Sequence, residues 1–218
     1  MVKSNKITGG IYLVIDPSIR KTSLMNKVKQ ALSGGVEMLQ IWDHWPESIS
    51  LSDKLDVIDS IIQTARGFDV PVLINKDWKL LKSTLLDGVH FDSIPDDYPE
   101  IKTEINREFI SGITCGNDIN IIHWAEQNKL DYISFCSMFP SPSAGDCEIV
   151  RPGTVKKAKE ITQIPIFLSG GITQDNLTSL KELNFNGIAV ISGILNAESP
   201  EKSAYGYTQA LNKLKNTV

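Results

Sequence analysis

Short runs of apolar and β-branched residues recur along the chain at intervals of roughly 25 residues, about the length of one strand-plus-helix unit. Their composition is typical of parallel strands that are buried on both faces. Eight such runs lie at residues 11–16, 38–42, 70–76, 88–92, 109–114, 132–137, 164–170 and 187–192.

The segments between these runs place apolar residues at steps of three and four, which is the period of an amphipathic helix. The clearest helical segments are residues 53–68, 120–129, 154–162, 174–183 and 203–215. No linker or internal repeat interrupts the alternation. This order favours an α/β fold of the (β/α)₈ TIM barrel type, because an open doubly wound sheet usually has only about five or six strands.

Two of the predicted strands end in residues with small side chains. Residues 164–171 have the sequence IPIFLSGG, and residues 187–193 have the sequence GIAVISG. Loops without Cβ atoms let backbone N–H groups approach an anion, and the last two strands of a barrel usually form its phosphate site. We therefore predict phosphate binding here, the alternative being that the paired glycines only turn the chain from strand to helix. The predicted contacts are Ser169, Gly170, Gly171, Ile191 and Ser192.

Composition narrows the class of protein further. A length of 218 residues suits a single barrel domain spanning residues 1–218, and the net charge of −4 argues against nucleic acid or an anionic membrane as partner. The N-terminal sequence lacks the apolar core of a signal peptide, so we expect a cytoplasmic protein. The three cysteines have no metal-type spacing, and no structural metal site is predicted from them.

The predicted strand ends carry a resemblance to a known family. The most specific pieces are residues 131–140 (DYISFCSMFP), followed by Ser141 and Ser143, and the Ser-Gly-Gly-Ile-Thr-x-x-Asn run at residues 169–176. From residue 11 to about residue 204, the chain resembles thiamine phosphate synthases and their sister group, the thiazole tautomerases. Both groups are (β/α)₈ barrels of this length.

The resemblance implies small phosphorylated substrates. The synthase joins a thiazole phosphate to hydroxymethylpyrimidine diphosphate and expels diphosphate with the help of Mg²⁺, whereas the tautomerase isomerises a thiazole carboxylate phosphate. Carried over by position, Ser141, Ser143 and Thr114 match hydroxyl groups of the family site. Gln40 and Asn75 match the polar residues that face the pyrimidine and the diphosphate.

Several residues of the diphosphate and metal half are replaced. The family pattern Gln-x-Arg-x-Lys after strand two is Gln-Ile-Trp-Asp-His at residues 40–44, and the metal-binding Asn-Asp pair is Asn75-Lys76. The second metal carboxylate falls near Pro95, and the Thr-Lys pair after strand six is Ser143-Ala144. Mg²⁺ is therefore an expectation from the family alone, and we assign no metal ligands. Losing these cations should cost several kcal/mol of stabilisation as negative charge develops on the leaving diphosphate.

Two replacements suggest other chemistry. Lys76 could supply the charge that the metal would have carried, together with His44 and Arg151, although it could also point into solvent. Trp42 offers a stacking surface for an aromatic ring in place of a cation, which favours the tautomerase, with His44 or His90 as its proton shuttle. His90 lies in an apolar context and is interpreted as mainly structural.

The sequence thus predicts an enzyme of thiamine biosynthesis, with the synthase reaction as the first hypothesis. A tautomerase and a non-catalytic paralogue that binds thiazole phosphate are the alternatives. The candidate catalytic residues are Lys76, Thr114 and His44, and Gln40, Trp42 and Asn75 are added to the binding residues. The oligomeric state is left open, a homo-oligomer included.

Overall fold

The computed structural model describes residues 7–141 and 148–216. In this part of the chain, eight parallel strands pair in sequence order, and β1 also pairs with β8, so the sheet closes into a barrel. The prediction of a (β/α)₈ barrel is confirmed. The strands are β1 Gly10–Ile15, β2 Val36–Ile41, β3 Val72–Asn75, β4 Gly88–Phe91, β5 Ile110–Thr114, β6 Tyr132–Phe135, β7 Ile166–Ser169 and β8 Gly187–Val190.

Helices cover the outside of the barrel. The α-helices of the described ranges are α1 Lys21–Ser33, α2 Leu51–Arg66, α3 Tyr98–Ile105, α4 Ile119–Gln127, α5 Pro152–Ile161, α6 Ser192–Leu195 and α7 Pro200–Lys215. Helices of the 3₁₀ type occupy Trp78–Lys82 and Leu177–Leu183. None of the helices in these ranges is long and apolar enough to cross a membrane.

The helix predictions were right in part. The segment at residues 174–183 contains a 3₁₀ helix, Leu177–Leu183, rather than an α-helix. Helices α1 and α3 were not predicted from the sequence. Only four residues of α1 are buried, and α3 is a short helix with three buried residues and a proline in its first turn. Both helices are less amphipathic than the α-helices that were predicted, so their periodic signal is weaker.

Aromatic rings fill the interior of the barrel. Tyr12 of β1, Tyr132 of β6 and Phe167 of β7 are completely or almost completely buried. Their rings meet edge to face, with centroid distances of 5.4 to 5.7 Å. This geometry is favourable for aromatic pairs. It also holds the two tyrosine hydroxyls beneath the carboxyl ends of the strands, where a TIM barrel places its chemistry.

Candidate active site

A cavity of about 570 Å³ opens at the carboxyl ends of the strands. A smaller one of about 390 Å³ lies at the amino-terminal ends, where barrel residues usually serve stability. The larger cavity is lined by ten of the predicted site residues: Gln40, Trp42, Asn75, Thr114, Ser141, Ser169, Gly170, Gly171, Ile191 and Ser192. Lys76 and His44 are not among its described lining residues. Ser143 and Ala144 lie outside the described residues.

The turn after β7 requires glycine at two positions. Gly170 and Gly171 have φ angles of +83° and +66°, which L-residues with a Cβ rarely adopt. A Cβ on Gly170 would lie 2.1 Å from Ser137 Oγ, and one on Gly171 would lie 2.8 Å from Phe139 Cβ. The loop after β6 therefore packs directly on this turn, so the paired glycines have a structural reason as well as the predicted role in phosphate binding.

Hydrogen bonds hold the turn in place. Asn176 Nδ2 donates to Gly171 O at 2.9 Å, and its Oδ1 accepts from Thr173 N at 2.9 Å. From α7, the Tyr207 hydroxyl donates to Ile172 O at 3.1 Å. Asn176 thus accounts for the last position of the Ser-Gly-Gly-Ile-Thr-x-x-Asn run. Tyr207 also lines the cavity. Tyr207 was not predicted as a site residue, because its position in α7 marks it only as a buried helical residue.

A second turn faces the cavity after β8. Ser192 and Gly193 begin α6, and the first backbone bonds of that turn are donated by Ile194 and Leu195 to Ile191 O, at 3.2 and 2.9 Å. The N–H groups of Ser192 and Gly193 precede these bonds and have no carbonyl within the helix. We call the residues of the two turns, Ser169–Gly171 and 191–193, the glycine cradle.

Opposite the glycine cradle, polar side chains form a connected network. The Tyr12 hydroxyl donates to Gln40 Oε1, and the Tyr132 hydroxyl lies 2.9 Å from the Tyr12 hydroxyl. His90 Nδ1 lies 2.9 Å from the Tyr132 hydroxyl, and the two rings stack with centroids 5.6 Å apart. The two tyrosines were not predicted as site residues, because nothing in the sequence indicates that residues about 120 positions apart share a hydrogen bond.

The network continues from His90 to the wall of the cavity. His90 Nε2 lies 2.9 Å from Thr114 Oγ1, which lies 3.2 Å from Ser134 Oγ. Burial lowers the pKa of His90 to about 4, although the nearby Asp92 carboxylate opposes this shift. The imidazole is therefore neutral near pH 7. His90 is buried and well packed, as interpreted from the sequence, and it also lines the cavity.

Asn75 connects the ends of β3 and β4. Its Nδ2 donates to Asp92 Oδ1 at 2.8 Å, and its Oδ1 accepts from Asp43 N at 3.3 Å. Asp92 is the one carboxylate among the described residues that line the cavity. No group of three or more His, Cys, Asp or Glu side chains in the described ranges could hold a metal ion. This donor set does not form a complete Mg²⁺ site, because Lys76 stands where the resemblance expects the aspartate of the Asn-Asp pair and Pro95 lies near the position of the second carboxylate.

The loops after β2 and β3 form what we call the β2–β3 corner, which consists of Trp42, Asp43, His44 and Lys76. Lys76 Nζ pairs with Asp43 Oδ2 at 2.8 Å, and this bond raises the pKa of Lys76 even though partial burial opposes it. His44 Nδ1 lies 3.0 Å from Asp16 Oδ1. Arg151 pairs instead with the Glu148 carboxylate. The three predicted cations thus each contact a different carboxylate, and the catalytic roles of Lys76 and His44 stay predictions.

Trp42 gives the cavity an aromatic wall. Its ring stacks on the His44 ring, with centroids 4.6 Å apart and an interplanar angle of 32°. Burial disfavours ionisation of Asp16, but hydrogen bonds from Ser18 and His44 outweigh this effect and lower the pKa of Asp16. The β2–β3 corner therefore combines the flat apolar surface of Trp42 with the Asp43 carboxylate, and His44 links it to Asp16.

A closed (β/α)₈ barrel with a glycine cradle after β7 and β8 and a polar network opposite it belongs to the class of phosphate-binding TIM barrel enzymes. Within this class, the family described as thiamine monophosphate synthase matches residues 11–194. The chain belongs to this family, and the resemblance stated from the sequence is confirmed.

Individual relatives agree with this assignment. The chain is 28% identical to a thiamine-phosphate synthase of Thermoplasma acidophilum over 202 residues, which cover 93% of this chain and 92% of that protein. It is 29% identical to a thiamine-phosphate synthase of Clostridium tetani, with 93% and 96% covered. The solved thiamine phosphate pyrophosphorylase of Pyrococcus furiosus has the same fold, with a TM-score of 0.79, 23% identity, and 94% and 96% covered.

Proposed function

We propose that this protein is a thiamine phosphate synthase, which couples a thiazole phosphate to hydroxymethylpyrimidine diphosphate and releases diphosphate. The observation that carries the proposal is the pairing of two different surfaces across one cavity. The glycine cradle suits a phosphate monoester, and the polar network opposite it suits a nitrogen heterocycle. A volume of about 570 Å³ is within the usual range for small-molecule sites.

In this proposal the thiazole phosphate binds at the glycine cradle, near Ser141. The pyrimidine ring lies against Trp42, with its polar edge towards Gln40 and Asn75. Thr114, which contacts His90 and Ser134, completes the wall behind the reacting atoms.

Lys76 is our candidate for the cation that meets the leaving diphosphate. Because Lys76 already pairs with Asp43, the diphosphate has to displace that carboxylate or share the ammonium with it. Diphosphate departure develops negative charge, so a single cation stabilises it less than the family's full set would. We therefore expect a slow synthase.

One observation favours a second candidate, the tautomerase. In the described part of the chain no lysine or arginine lines the cavity, and the β2–β3 corner carries the Asp43 carboxylate, which pairs with Lys76. This surface suits an aromatic ring with a single carboxylate better than a diphosphate, because less negative charge then has to be met. The His44–Asp16 pair would then be the candidate proton shuttle.

The decisive experiment is incubation with both synthase substrates, with Mg²⁺ and separately with a chelator. Formation of thiamine phosphate supports the synthase, and the chelator arm measures whether the Mg²⁺ dependence implied by the family applies here. Proton exchange on the thiazole carboxylate alone, without coupling, would replace the synthase with the tautomerase. Binding without turnover of either would indicate a non-catalytic paralogue.

A pair of matched variants links any activity to this cavity. Asn75→Ala removes a side chain that lines the cavity, whereas Asn212→Ala removes the same group from an exposed position on α7. We expect the first variant to lose at least tenfold in kcat/KM, in line with the loss of one or more buried hydrogen bonds, and the second to match the parent. Equal activities would place the reaction elsewhere.

We also propose that the enzyme acts in the cytoplasm on small phosphorylated substrates. The net charge of −4 supports small-molecule substrates over nucleic acid or a membrane surface as partner.

A further inference from the structure

The polar network behind the cavity has a direction, which follows from counting protons once Gln40 Oε1 is the atom that faces the Tyr12 hydroxyl. A tyrosine hydroxyl has one proton to donate, and a neutral imidazole has one N–H and one acceptor nitrogen. Tyr12 donates its proton to Gln40 Oε1. It can therefore only accept in its contact with Tyr132, so the proton between the two hydroxyls belongs to Tyr132.

The same counting fixes the tautomer of His90. Because Tyr132 donates to Tyr12, its oxygen can only accept in the 2.9 Å contact with His90 Nδ1. Nδ1 must then carry the ring proton. Nε2 is left as the acceptor, and Thr114 Oγ1, 2.9 Å away, donates to it.

The opposite direction is also a complete arrangement. If the amide of Gln40 were turned over, its Nε2 amino group would donate to Tyr12, and every proton in the chain would shift by one bond. His90 would then carry its proton on Nε2. The orientation of the Gln40 amide and the tautomer of His90 are thus coupled through Tyr12 and Tyr132, with no third partner needed.

We propose that His90 is a positioning residue that, in its Nδ1–H form, holds the Gln40 amide with Oε1 turned towards Tyr12 and the amino group turned towards the ligand. The site then selects a pyrimidine whose ring nitrogen accepts a hydrogen bond, and it discriminates against an oxo-pyrimidine that presents a ring N–H. This inference rests on the proposed function only in placing the pyrimidine against Gln40.

Burial raises the pKa of both tyrosines, so both hydroxyls keep their protons near neutral pH. The series of hydrogen bonds therefore stays unbroken. The charged groups facing the network are few. Asp92 lies close to His90 and raises the pKa of both tyrosines, and Asp131 does so for Tyr132. The neutral state of the network therefore persists in the range where the enzyme would work.

The tautomer can be measured without any substrate. In protein labelled with ¹⁵N in the histidine rings, NMR distinguishes the protonated from the unprotonated ring nitrogen. The chain has three histidines, and one of them, His123 on α4, is exposed. The signals of His90 are assigned as those that disappear when His90 is substituted. We expect Nδ1–H as the dominant form of His90 in the parent protein. A dominant Nε2–H form would overturn the proposal, whatever the enzyme's activity.

The coupling is tested by Tyr12→Phe. Without the Tyr12 hydroxyl, Tyr132 is free to donate to His90 instead, and the Nε2–H form should appear. Tyr98→Phe is the matched control, because it removes a hydroxyl from another buried tyrosine that lies on α3. Its His90 signals should match those of the parent. If Tyr12→Phe does not fold, Tyr132→Phe interrupts the same series of hydrogen bonds at a second position.

Steady-state kinetics then connect the tautomer to binding of the pyrimidine substrate. We expect Tyr12→Phe to raise KM for the pyrimidine substrate about tenfold, the effect of losing one oriented hydrogen bond, with KM for the thiazole phosphate unchanged. An unchanged His90 spectrum in Tyr12→Phe, or equal changes in both KM values, would contradict the proposal. If the protein has no synthase activity, the proposed function fails, whereas the spectra still decide whether the network has this direction.

Discussion

Replacing Gly170 by alanine should show how much stability the tight turn after β7 requires. Two separate effects act at this position. The φ angle of +83° is costly for a residue with a Cβ, and the new Cβ would meet Ser137 Oγ at 2.1 Å, Ser137 Cβ at 2.7 Å and Ser137 Cα at 2.8 Å. The hydroxyl could rotate away, but it would lose the 2.6 Å bond that it donates to Phe139 O. The clash with the main chain of Ser137 can be relieved only by moving backbone.

The chain offers two controls that separate these effects. Gly116 has a φ angle of +52° but nothing within 4 Å of an added Cβ, so Gly116→Ala measures the backbone effect alone. Gly153 lies in α5, has no positive φ and also has open space around it. Gly153→Ala therefore measures the effect of a methyl group with neither strain nor a close contact.

The expected changes in the free energy of unfolding, relative to the parent protein, differ in sign and size among the three variants. Gly153→Ala should be neutral or stabilise by up to about 1 kcal/mol, because alanine has the higher helix propensity. Gly116→Ala should cost about 1 kcal/mol, the typical penalty of a left-handed conformation for an L-residue. Gly170→Ala should cost about 2–4 kcal/mol, since overpacking typically adds about 1–3 kcal/mol to that backbone penalty.

Urea titrations followed by circular dichroism would give all three values, provided that the slope m is the same in each variant. In parallel, calorimetry with thiazole phosphate would report the glycine cradle itself. We expect weakened binding for Gly170→Ala and parent-like affinity for Gly153→Ala. A Gly170→Ala protein no less stable than Gly116→Ala would refute the argument from packing, and the paired glycines would then need another explanation.

Two further predictions concern titratable groups of the site. Because the pKa of His90 is lowered to about 4 in the folded protein, the unfolded chain binds more protons between that value and about pH 6.5, and stability should fall as pH decreases through this window. His90→Gln should flatten that dependence by up to about 1.4 kcal/mol per pH unit in urea titrations, and an unaltered slope would contradict the neutral buried imidazole. Lys76→Ala should raise KM for the pyrimidine diphosphate about tenfold or more and leave KM for the thiazole phosphate unchanged, because it leaves the Asp43 carboxylate unpaired on the diphosphate side. Lys156→Ala is the control, because it removes an exposed lysine of α5, and its KM values should match those of the parent. Unchanged KM values for Lys76→Ala would show that Lys76 does not contact the diphosphate.

The fold was predictable from the sequence because each strand carries its own local signal. Every predicted strand overlaps an observed one, since a strand buried on both faces shows as a short apolar run. The predicted ends were less accurate. Asp16 and Trp42 were placed in strands, but β1 ends at Ile15 and β2 at Ile41. Both side chains instead belong to the loops that carry the site. In these loops, whether a residue is buried can no longer be inferred from its being polar or aromatic.

The two halves of the site differ in how much of them the sequence could reveal. The glycine cradle is built from backbone within two short segments, so a local pattern of small residues was enough to indicate it. The opposite wall is built from side chains on several strands, and the links of Tyr12 to Gln40 and of Asn75 to Asp92 depend on the register of a closed sheet. No local pattern encodes that register.

The same difference bears on the chemistry. In the proposed function, the glycine cradle holds phosphate through backbone N–H groups, which do not depend on the family cations that are replaced in the β2–β3 corner. Binding of the diphosphate depends on side-chain charge, and the structure pairs Lys76 with Asp43 at 2.8 Å. Recognition of the thiazole phosphate should therefore be robust to substitutions in the β2–β3 corner. The rate of diphosphate departure should instead follow the charge on Lys76, Asp43 and Asp92, and it is this rate that decides whether the barrel works as a synthase.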